Sequence, residues 1–533
     1  MSSPTDQPPH VTPLPSLRLR LAAAGLSGLF LVACFPVIDW NLLVWVAIAP
    51  LLVALAGEPG LKRGFLLGYL AGAIFLAGCC HWFADVMELH GGLSPVLAWG
   101  VLALYVVVFA VFFGGFGLIA AWLARSSPRR ALLLGPFLWV AMEIARTYLI
   151  TGVPWNLLGY AVQADGLRRV ASVAAVYGLS FLAAATSALL AWVWIEPRRV
   201  VPRLTLAAWC FALIVANLIL NPPPLPVGPR AAFLVQPNIP MDVEEIVKWS
   251  PWQDSTRLNA LVDTSVASAQ RAPAGSGAPL IVWPENPAPF YFERDPVFRA
   301  ATERMAREAK AYVVFGSVNF ADPQFTQPKN SALALDPGGR VLLAYDKIHL
   351  VPFGEYVPWW AFPDLVGKIT HEAGNFVPGA SYRAAETPQG TLSLFICYEA
   401  IFPQLVRRLV SDAPGVLVNI SNDAWFGDTA AAAQHLEMAR LRAIENHRYL
   451  LRATNDGITC VIDPFGRIVA RLPRHEDAVL AGRFDFIAGR TFYSRHGDVF
   501  AWACIVIALA LIAQAAWTEG QGKRQMAKGK SQR

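Results

Sequence analysis

The sequence predicts two parts of different fold class, a bundle of membrane-spanning helices and an extramembrane α/β domain. Of the 533 residues, 55% are hydrophobic and only 15% are charged, whereas soluble globular chains carry about 25% charged residues. The charge is unevenly placed, because residues 230–496 hold 26 Lys and Arg with 28 Asp and Glu, while the other 266 residues hold 18 and 10. This composition excludes a disordered chain and a single soluble domain.

Eight apolar stretches are close to the length of roughly 20 residues that crosses a bilayer as a helix. They lie at 19–36, 38–56, 64–85, 94–124, 131–150, 170–195, 204–220 and 498–517. The predicted parts of the chain are a polar leader (1–17), seven transmembrane helices (18–220), a Pro-rich hinge (221–229), an extramembrane domain (230–496), an eighth helix (497–517) and a basic tail (518–533).

Loop charges predict the orientation of the bundle, since cytoplasmic loops are enriched in Lys and Arg. With both termini in the cytoplasm, fifteen of the eighteen Lys and Arg outside residues 230–496 lie on the cytoplasmic side and three on the other side. Seven crossings then place residues 230–496 outside.

Glu143 and Arg146 fall within or at the end of the fifth span, and we expect them to pair with each other, although an intramembrane charge can also mark a functional site.

Residues 230–496 alternate short apolar runs with helical patterns, which is typical of a layered α/β domain with mixed sheets. The predicted strands are 231–236, 280–283, 312–318, 331–336, 341–345, 391–396, 416–420, 457–462, 468–471 and 478–484. The helical patterns lie near 253–270, 295–309, 400–411 and 431–449. Turn signals at 336–339 and 463–466 predict two hairpins.

Three residues follow predicted strands and carry reactive side chains. Cys397 ends an apolar strand just before a helical pattern, where backbone N–H groups lower a thiol pKa and hold an oxyanion. Glu285 follows the strand 280–283 and is placed for general-base work. Lys347 follows a hairpin strand. Two of them have an ordinary structural alternative: a core cysteine for Cys397, and a solvated strand-end lysine paired with Asp346 for Lys347.

Taken together, these segments resemble the nitrilase (carbon–nitrogen hydrolase) superfamily, whose catalytic set is Glu, Lys and Cys in that chain order. Glu285, Lys347 and Cys397 match it one by one. The match extends to residues 236–239, to Asn419-Ile420-Ser421-Asn422-Asp423-Ala424-Trp425-Phe426-Gly427 and to residues 440–457. A nitrilase-like αββα sandwich joined to an eight-span bundle is similar to the bacterial apolipoprotein N-acyltransferase family.

The resemblance implies transfer of an acyl chain from a phospholipid to the N-terminal amine of a lipoprotein's diacylglyceryl-cysteine, through a thioester on Cys397. It implies a monomer in the bacterial cytoplasmic membrane, with the catalytic domain on the periplasmic side. Residues implied to orient the machinery or position substrate are Glu355, Tyr398, Glu399, Trp249, Trp359 and Trp360. Glu355 and Glu399 have the alternative of serving as surface or structural acids, and Tyr398 has a packing role as an equal alternative. Trp359 and Trp360 belong either to a lipid-facing loop or to domain core.

Two other functions remain open from sequence. A membrane-tethered amidase or nitrilase would use the same three residues with water as acceptor, although eight spans exceed what a tether needs. A transporter or receptor would have a non-catalytic outer domain, but no inverted repeat of broken helices is evident. We expect no cofactor, metal or nucleic acid, since no zinc-binding motif or phosphate-binding loop is present in the sequence.

Overall fold

The computed structural model of the chain describes residues 14, 16–36, 38–58, 60–239, 255–357 and 375–531. Nine helices of at least four residues precede residue 220 within the described part. Their bounds are α1 Leu17–Ala33, α2 Ala49–Ala56, α3 Leu61–Cys80, α4 Trp82–Leu89, α5 Pro95–Ser126, α6 Pro128–Tyr148, α7 Asp165–Arg168, α8 Ala171–Ile195 and α9 Val200–Ile219. The 3₁₀ turn at Leu158–Ala161 also has four residues but is not counted among these nine α-helices.

Five described helices are long and apolar enough to cross a membrane, judged by length and composition. They are α3, α5, α8, α9 and the Val499–Thr518 part of the last helix. The predicted count of eight spans is not confirmed. The second predicted span is broken into a 3₁₀ turn at Asn41–Trp45 and the short α2, the first helix has 17 residues, and α6 carries four charged side chains.

The strands form two six-stranded mixed sheets. The first has the order β12-β1-β2-β3-β4-β5 and the second β11-β10-β9-β8-β7-β6. The bounds are β1 Arg230–Gln236, β2 Leu280–Val282, β3 Tyr312–Phe320, β4 Pro328–Leu335, β5 Val341–Asp346, β6 Ala385–Thr387, β7 Gly390–Ile396, β8 Gly415–Ser421, β9 Leu450–Thr454, β10 Cys460–Ile462, β11 Ile468–Arg471 and β12 Ala478–Phe484. Both predicted hairpins, β4–β5 and β10–β11, are antiparallel pairs in the sheets.

The helices of this domain are α10 Thr256–Ala269, α11 Pro296–Ala309, α12 Pro403–Val406, α13 Ala431–Asn446 and α14 Phe492–His496, followed by α15 Val499–Ser531. Successive side chains of a strand point to opposite faces. Along β1, Phe233 and Val235 accordingly pack with α10 and α11, whereas Ala232 and Leu234 join the core shared with the second sheet. The domain is therefore an α/β sandwich with two facing sheets, as predicted.

Helix α13 lies between the second sheet and the helical bundle. Its buried polar side chains bond to the bundle: Gln434 accepts from Trp155 Nε1 at 2.7 Å, and Glu437 pairs with Arg168 at 2.8 Å. Glu445 accepts from the backbone N–H of Val176 at 3.2 Å. That N–H follows Ala175, whose φ of 52° interrupts α8, so a carboxylate of the α/β domain caps a broken bundle helix.

Three local predictions were wrong. Glu143 and Arg146 do not pair with each other, because Glu143 accepts from Trp139 and from Leu158 N–H while Arg146 donates to the Trp155 carbonyl. The helical pattern near 400–411 is divided, since Pro403 starts a new short helix between two 3₁₀ turns. The helix at 431–449 ends at residue 446, and the unpredicted strand β9 follows.

Candidate active site

The three predicted reactive residues follow strands whose ends meet at one edge of the sandwich. Glu285 lies three residues after β2, Lys347 directly follows β5, and Cys397 directly follows β7. Strands β2 and β5 run in the same direction within the first sheet, because β3 is parallel to β2 and two antiparallel pairings lead from β3 to β5. The topology therefore brings Glu285 and Lys347 to the same end of the first sheet, and Glu399, which accepts from both Ile348 N–H and Ile396 N–H, places the Cys397 turn beside them.

Lys347 lies between two carboxylates. Its Nζ is 2.9 Å from Glu355 Oε1 and 3.4 Å from Glu285 Oε1, and the lysine side chain is only 1% exposed. Asn330, at the start of β4, donates from Nδ2 to both carboxylates at 2.7 Å. The backbone N–H of Asn422 donates to the other Glu285 oxygen at 3.0 Å. Both oxygens of Glu285 are thus oriented, and the ammonium group is fixed in position.

Cys397 opens a 3₁₀ turn with a backbone φ of +47°. Positive φ costs a residue other than glycine roughly 1–2 kcal/mol and persists only where neighbouring structure imposes it. Glu399 supplies that constraint: its Oε2 accepts from Ile396 N–H at 2.7 Å, and its Oε1 accepts from Ile348 N–H at 2.7 Å and from Tyr345 OH at 2.9 Å. The carboxylate therefore joins the Cys397 turn to the segment that follows Lys347.

The electrostatics favour a protonated thiol beside a protonated lysine. Burial raises the pKa of Cys397, Glu285 raises it further, and Lys347 opposes them. Burial by itself would lower the pKa of Lys347, but Glu355, Glu285 and Cys397 together raise it above its ordinary value. Burial raises the pKa of Glu399 to about 7, against the lowering effect of its backbone donors. The thiol consequently needs a neighbouring base before it can act as a nucleophile.

A buried polar network that the sequence reasoning missed lies beneath the cysteine. His435, on α13, contacts the Cys397 carbonyl oxygen through Nε2 at 3.0 Å. Its Nδ1 is 3.1 Å from the Arg452 guanidinium, which also pairs with Asp423 at 2.7 Å. Burial, followed by Arg452, lowers the pKa of His435. A hydrogen on Nε2 donates to the carbonyl, while Nδ1 lies between the Arg452 donor at 3.1 Å and the Asp423 Oδ1 acceptor at 3.2 Å.

Asn330 and His435 lie far in sequence from the residues they contact, and no local motif marked them. Asn422 and Asp423 do belong to the segment 419–427, whose match to the superfamily was a signal for the site. Tyr398 is half-buried, and its ring lies 5.2 Å from the Phe402 ring and 5.9 Å from the His349 ring. Trp249, Trp359 and Trp360 lie outside the described residues.

The helical bundle reaches the site through aromatic contacts. The Trp155 ring is 5.9 Å from His435 and 5.0 Å from Trp82, which in turn lies 5.2 Å from Phe426. Gln434, the residue before His435, donates to the Cys79 carbonyl of the bundle at 3.1 Å. The helix that supports the cysteine is therefore packed directly on the bundle. Within the described ranges, no group of three His, Cys, Asp or Glu side chains is arranged to hold a metal ion.

Comparisons with known proteins cover both parts of the chain. A family model described as carbon-nitrogen hydrolase matches residues 232–489, and one described as apolipoprotein N-acyltransferase N-terminal domain matches residues 27–189. The apolipoprotein N-acyltransferase of Geobacter metallireducens is 37% identical over 92% of this chain and 94% of its own length. That of Bradyrhizobium diazoefficiens is 33% identical over 93% of each chain. Among solved structures, an amidase from Nesterenkonia sp. aligns with 52% of this chain and 97% of its own at 20% identity and a TM-score of 0.37.

Proposed function

The chain belongs to the apolipoprotein N-acyltransferase family, and we propose that it moves an acyl chain from a phospholipid to the N-terminal amine of diacylglyceryl-cysteine in lipoproteins. The observation that supports this best is a buried lysine held between two carboxylates at the same sheet edge as Cys397, with the supporting helix packed on an apolar bundle. A site built against such a bundle suits a substrate that stays in the membrane.

In the first step, Glu285 takes the proton from the Cys397 thiol, and the thiolate attacks the ester carbonyl of the phospholipid. Lys347 and a backbone N–H near Cys397 stabilise the oxyanion. The C–O bond then breaks, Glu285 returns the proton to the leaving oxygen, and a lysophospholipid departs. The acyl chain remains on Cys397 as a thioester. The ion pairs of Lys347 support its part, because they keep the ammonium protonated.

In the second step, the lipoprotein α-amine attacks the thioester. An α-amine has a pKa near 8, so a useful fraction is unprotonated at neutral pH. Glu285 accepts the amine proton and passes it to the departing thiolate, which restores Cys397 and leaves an amide. Water must be excluded between the steps, because hydrolysis would release the acyl chain. Roles for Glu355 and Glu399 in orienting Lys347 and the Cys397 turn are consistent with their contacts.

We place the catalytic domain on the periplasmic side of the cytoplasmic membrane and both termini in the cytoplasm. The asymmetry of Lys and Arg between the two sets of loops supports this orientation. We also propose that one chain is the active unit, since Lys347 meets both Glu285 and Glu355 of its own chain.

The decisive experiment is acylation of a diacylglyceryl-cysteine peptide by the purified full-length protein with a labelled phospholipid. We expect wild-type protein to form the N-acylated peptide and a hydroxylamine-sensitive acyl-enzyme. Glu285→Ala, Lys347→Ala and Cys397→Ala should each reduce the product by at least about a hundredfold. Cys460→Ala is the matched control, because Cys460 is equally buried but lies in the sheet core. Release of free fatty acid without acylated peptide would instead indicate a hydrolase.

A further inference from the structure

A cavity of about 220 Å³ lies next to the site, between the bundle and the α/β domain. Its wall includes Tyr148 at the end of α6, Ile348 directly after Lys347, and Phe402, five residues after Cys397. The Phe402 ring packs against the Tyr398 ring at 5.2 Å. The cavity therefore borders the segments that carry both the lysine and the cysteine, although none of the catalytic side chains lines it.

Two arginines, Arg407 and Arg408, line the cavity, and neither forms an ion pair with a carboxylate among the described residues. The Asp498 carboxylate also lies at the wall, where it accepts from Tyr148 OH at 2.6 Å. Arg407 Nε and Gln404 Oε1 are buried and have no hydrogen-bond partner within the same part of the chain. His349 adds no charge at neutral pH, because burial and then Lys347 lower its pKa to about 4. The Arg408 guanidinium stacks on the ring of Tyr382, another wall residue, at 3.7 Å. Two guanidinium groups with no ion pair among the described residues, in a concave site, are suited to a phosphate, which arginine binds through paired N–H donors.

The position of the cavity indicates which kind of phosphate it is suited to bind. Tyr148 is partly exposed, and the next two residues, Leu149 and Ile150, are exposed apolar side chains at the end of α6. The Tyr148 ring also packs against Trp502 of α15 at 5.9 Å. Exposed apolar residues with Tyr and Trp are typical of the membrane–water interface. The phosphate of a membrane lipid lies at the membrane–water interface, whereas binding of a soluble phosphate does not require exposed apolar residues beside the site.

We propose that the Arg407–Arg408 cavity binds the phosphodiester of the acyl-donor phospholipid and so positions its ester at Cys397. This inference rests on the proposed function, since it assigns a headgroup site to that reaction. The carbonyl would lie toward Tyr398 and Cys397, with the phosphate held by the two guanidinium groups. No covalent step takes place in the cavity.

The test compares two donors, a labelled phosphatidylglycerol in mixed micelles and p-nitrophenyl palmitate, an acyl ester without phosphate. The variants are Arg408→Gln, Arg407→Gln and the double variant, each as full-length protein. We expect the KM for phosphatidylglycerol to rise about tenfold for each guanidinium removed. The kcat for that donor and the kinetics with p-nitrophenyl palmitate should change by less than about twofold. Arg495→Gln is the control, since Arg495 is exposed, pairs with Asp412 and does not line the cavity.

Three results would overturn the assignment: no change in KM, an equal loss with both donors, or inhibition of wild type by inorganic phosphate as strong as that by glycerol 3-phosphate. The last would indicate a site for free phosphate. Arg408 is exposed, so Arg408→Gln tests the proposal even if Arg407→Gln does not fold. If the wild type uses p-nitrophenyl palmitate but no phospholipid, the proposed function itself is wrong. This result distinguishes a failure of the proposed function from a failure of the headgroup site alone.

Discussion

At the scale of single residues, the acidity of Cys397 is set by neighbours of opposite charge. After burial, Glu285 is the largest influence that raises the pKa of the thiol, and Lys347 opposes it. The same carboxylate is the proposed proton acceptor. Glu285 therefore makes the thiol a weaker acid and also provides the route by which the thiol loses its proton.

We expect Glu285→Gln to lower the pKa of Cys397 and Lys347→Met to raise it, although both variants lose acyl transfer. Removing a negative charge near a thiol favours the thiolate, and removing a positive charge disfavours it. The rate of Cys397 alkylation by iodoacetamide, followed by peptide mass spectrometry from pH 6 to pH 10, measures both pKa values. The electrostatic account fails if the two alkylation profiles move in the same direction.

His435 provides a second test at this scale. Its Nε2–H donates to the Cys397 carbonyl at 3.0 Å, so His435→Leu removes a hydrogen bond to the buried carbonyl of the strained residue. Loss of such a hydrogen bond costs about 0.5–1.5 kcal/mol. We expect His435→Leu to reduce kcat by up to roughly tenfold with little change in the KM for phospholipid, whereas His435→Gln keeps a donor and most of the activity. Equal kcat values for the two variants would exclude this positioning role.

At the scale of elements, Glu399 holds together the ends of β5 and β7. Its two oxygens accept from a tyrosine hydroxyl and from backbone N–H groups on both segments. In Glu399→Gln an NH₂ group must face at least one of these donors. We expect the free energy of unfolding to fall by about 1–3 kcal/mol, measured as a lower thermal midpoint, together with slower acylation. Glu386→Gln, at an exposed position on β6, should leave the midpoint unchanged.

The break in α8 gives a prediction for the contact between the two parts of the molecule. Glu445 accepts from the Val176 N–H just after the break and pairs with Arg442, and both charged side chains are fully buried. Removing one partner of a buried pair costs about 3–5 kcal/mol, because the other charge is left uncompensated. We expect Glu445→Ala to lower the temperature of inactivation in detergent by several degrees, roughly 5 °C or more. Glu303→Ala removes an exposed pair with Arg307 and should have little effect. Equal inactivation temperatures for Glu445→Ala and Glu303→Ala would contradict the role of Glu445 as a cap of the broken helix α8.

The elements that sequence predicted well are those with a clear period or turn signal, such as β1, β12 and the two hairpins. Those it missed depend on tertiary contacts. Helix α13 ends at His447 with a φ of +50°, a left-handed conformation that glycine more often marks. Residues 447–449 were therefore predicted as part of the helix, and strand β9 after them was not predicted. Strand β6 has three residues and pairs only with β7, so its sequence alone carries too little pattern.

At the scale of the whole molecule, only those site residues that lie in recognisable sequence motifs were predictable. Glu285, Lys347 and Cys397 were identifiable because each follows a recognisable strand in a known chain order. Asn330 was not, since it bonds to Glu285 from 45 residues away and to Glu355 from 25 residues away. The cavity with Arg407 and Arg408 was also hidden, because one of its walls comes from α6 of the bundle.

The proposed orientation in the membrane rests on the Lys and Arg distribution of the whole sequence, and a single labelling experiment can test it. In this orientation, fifteen of the eighteen Lys and Arg outside residues 230–496 lie on the cytoplasmic side and three on the other, and translocation retains positively charged loops in the cytoplasm. We expect a membrane-impermeant maleimide to label Glu308→Cys, on the exposed face of α11, in intact spheroplasts. Gln521→Cys, beyond the last apolar segment, should react only after the membrane is opened. Six of the seven native cysteines are buried, so a Cys210→Ala background gives little other labelling. The opposite pattern would place the catalytic domain in the cytoplasm, where it could not meet lipoproteins exported to the outer face.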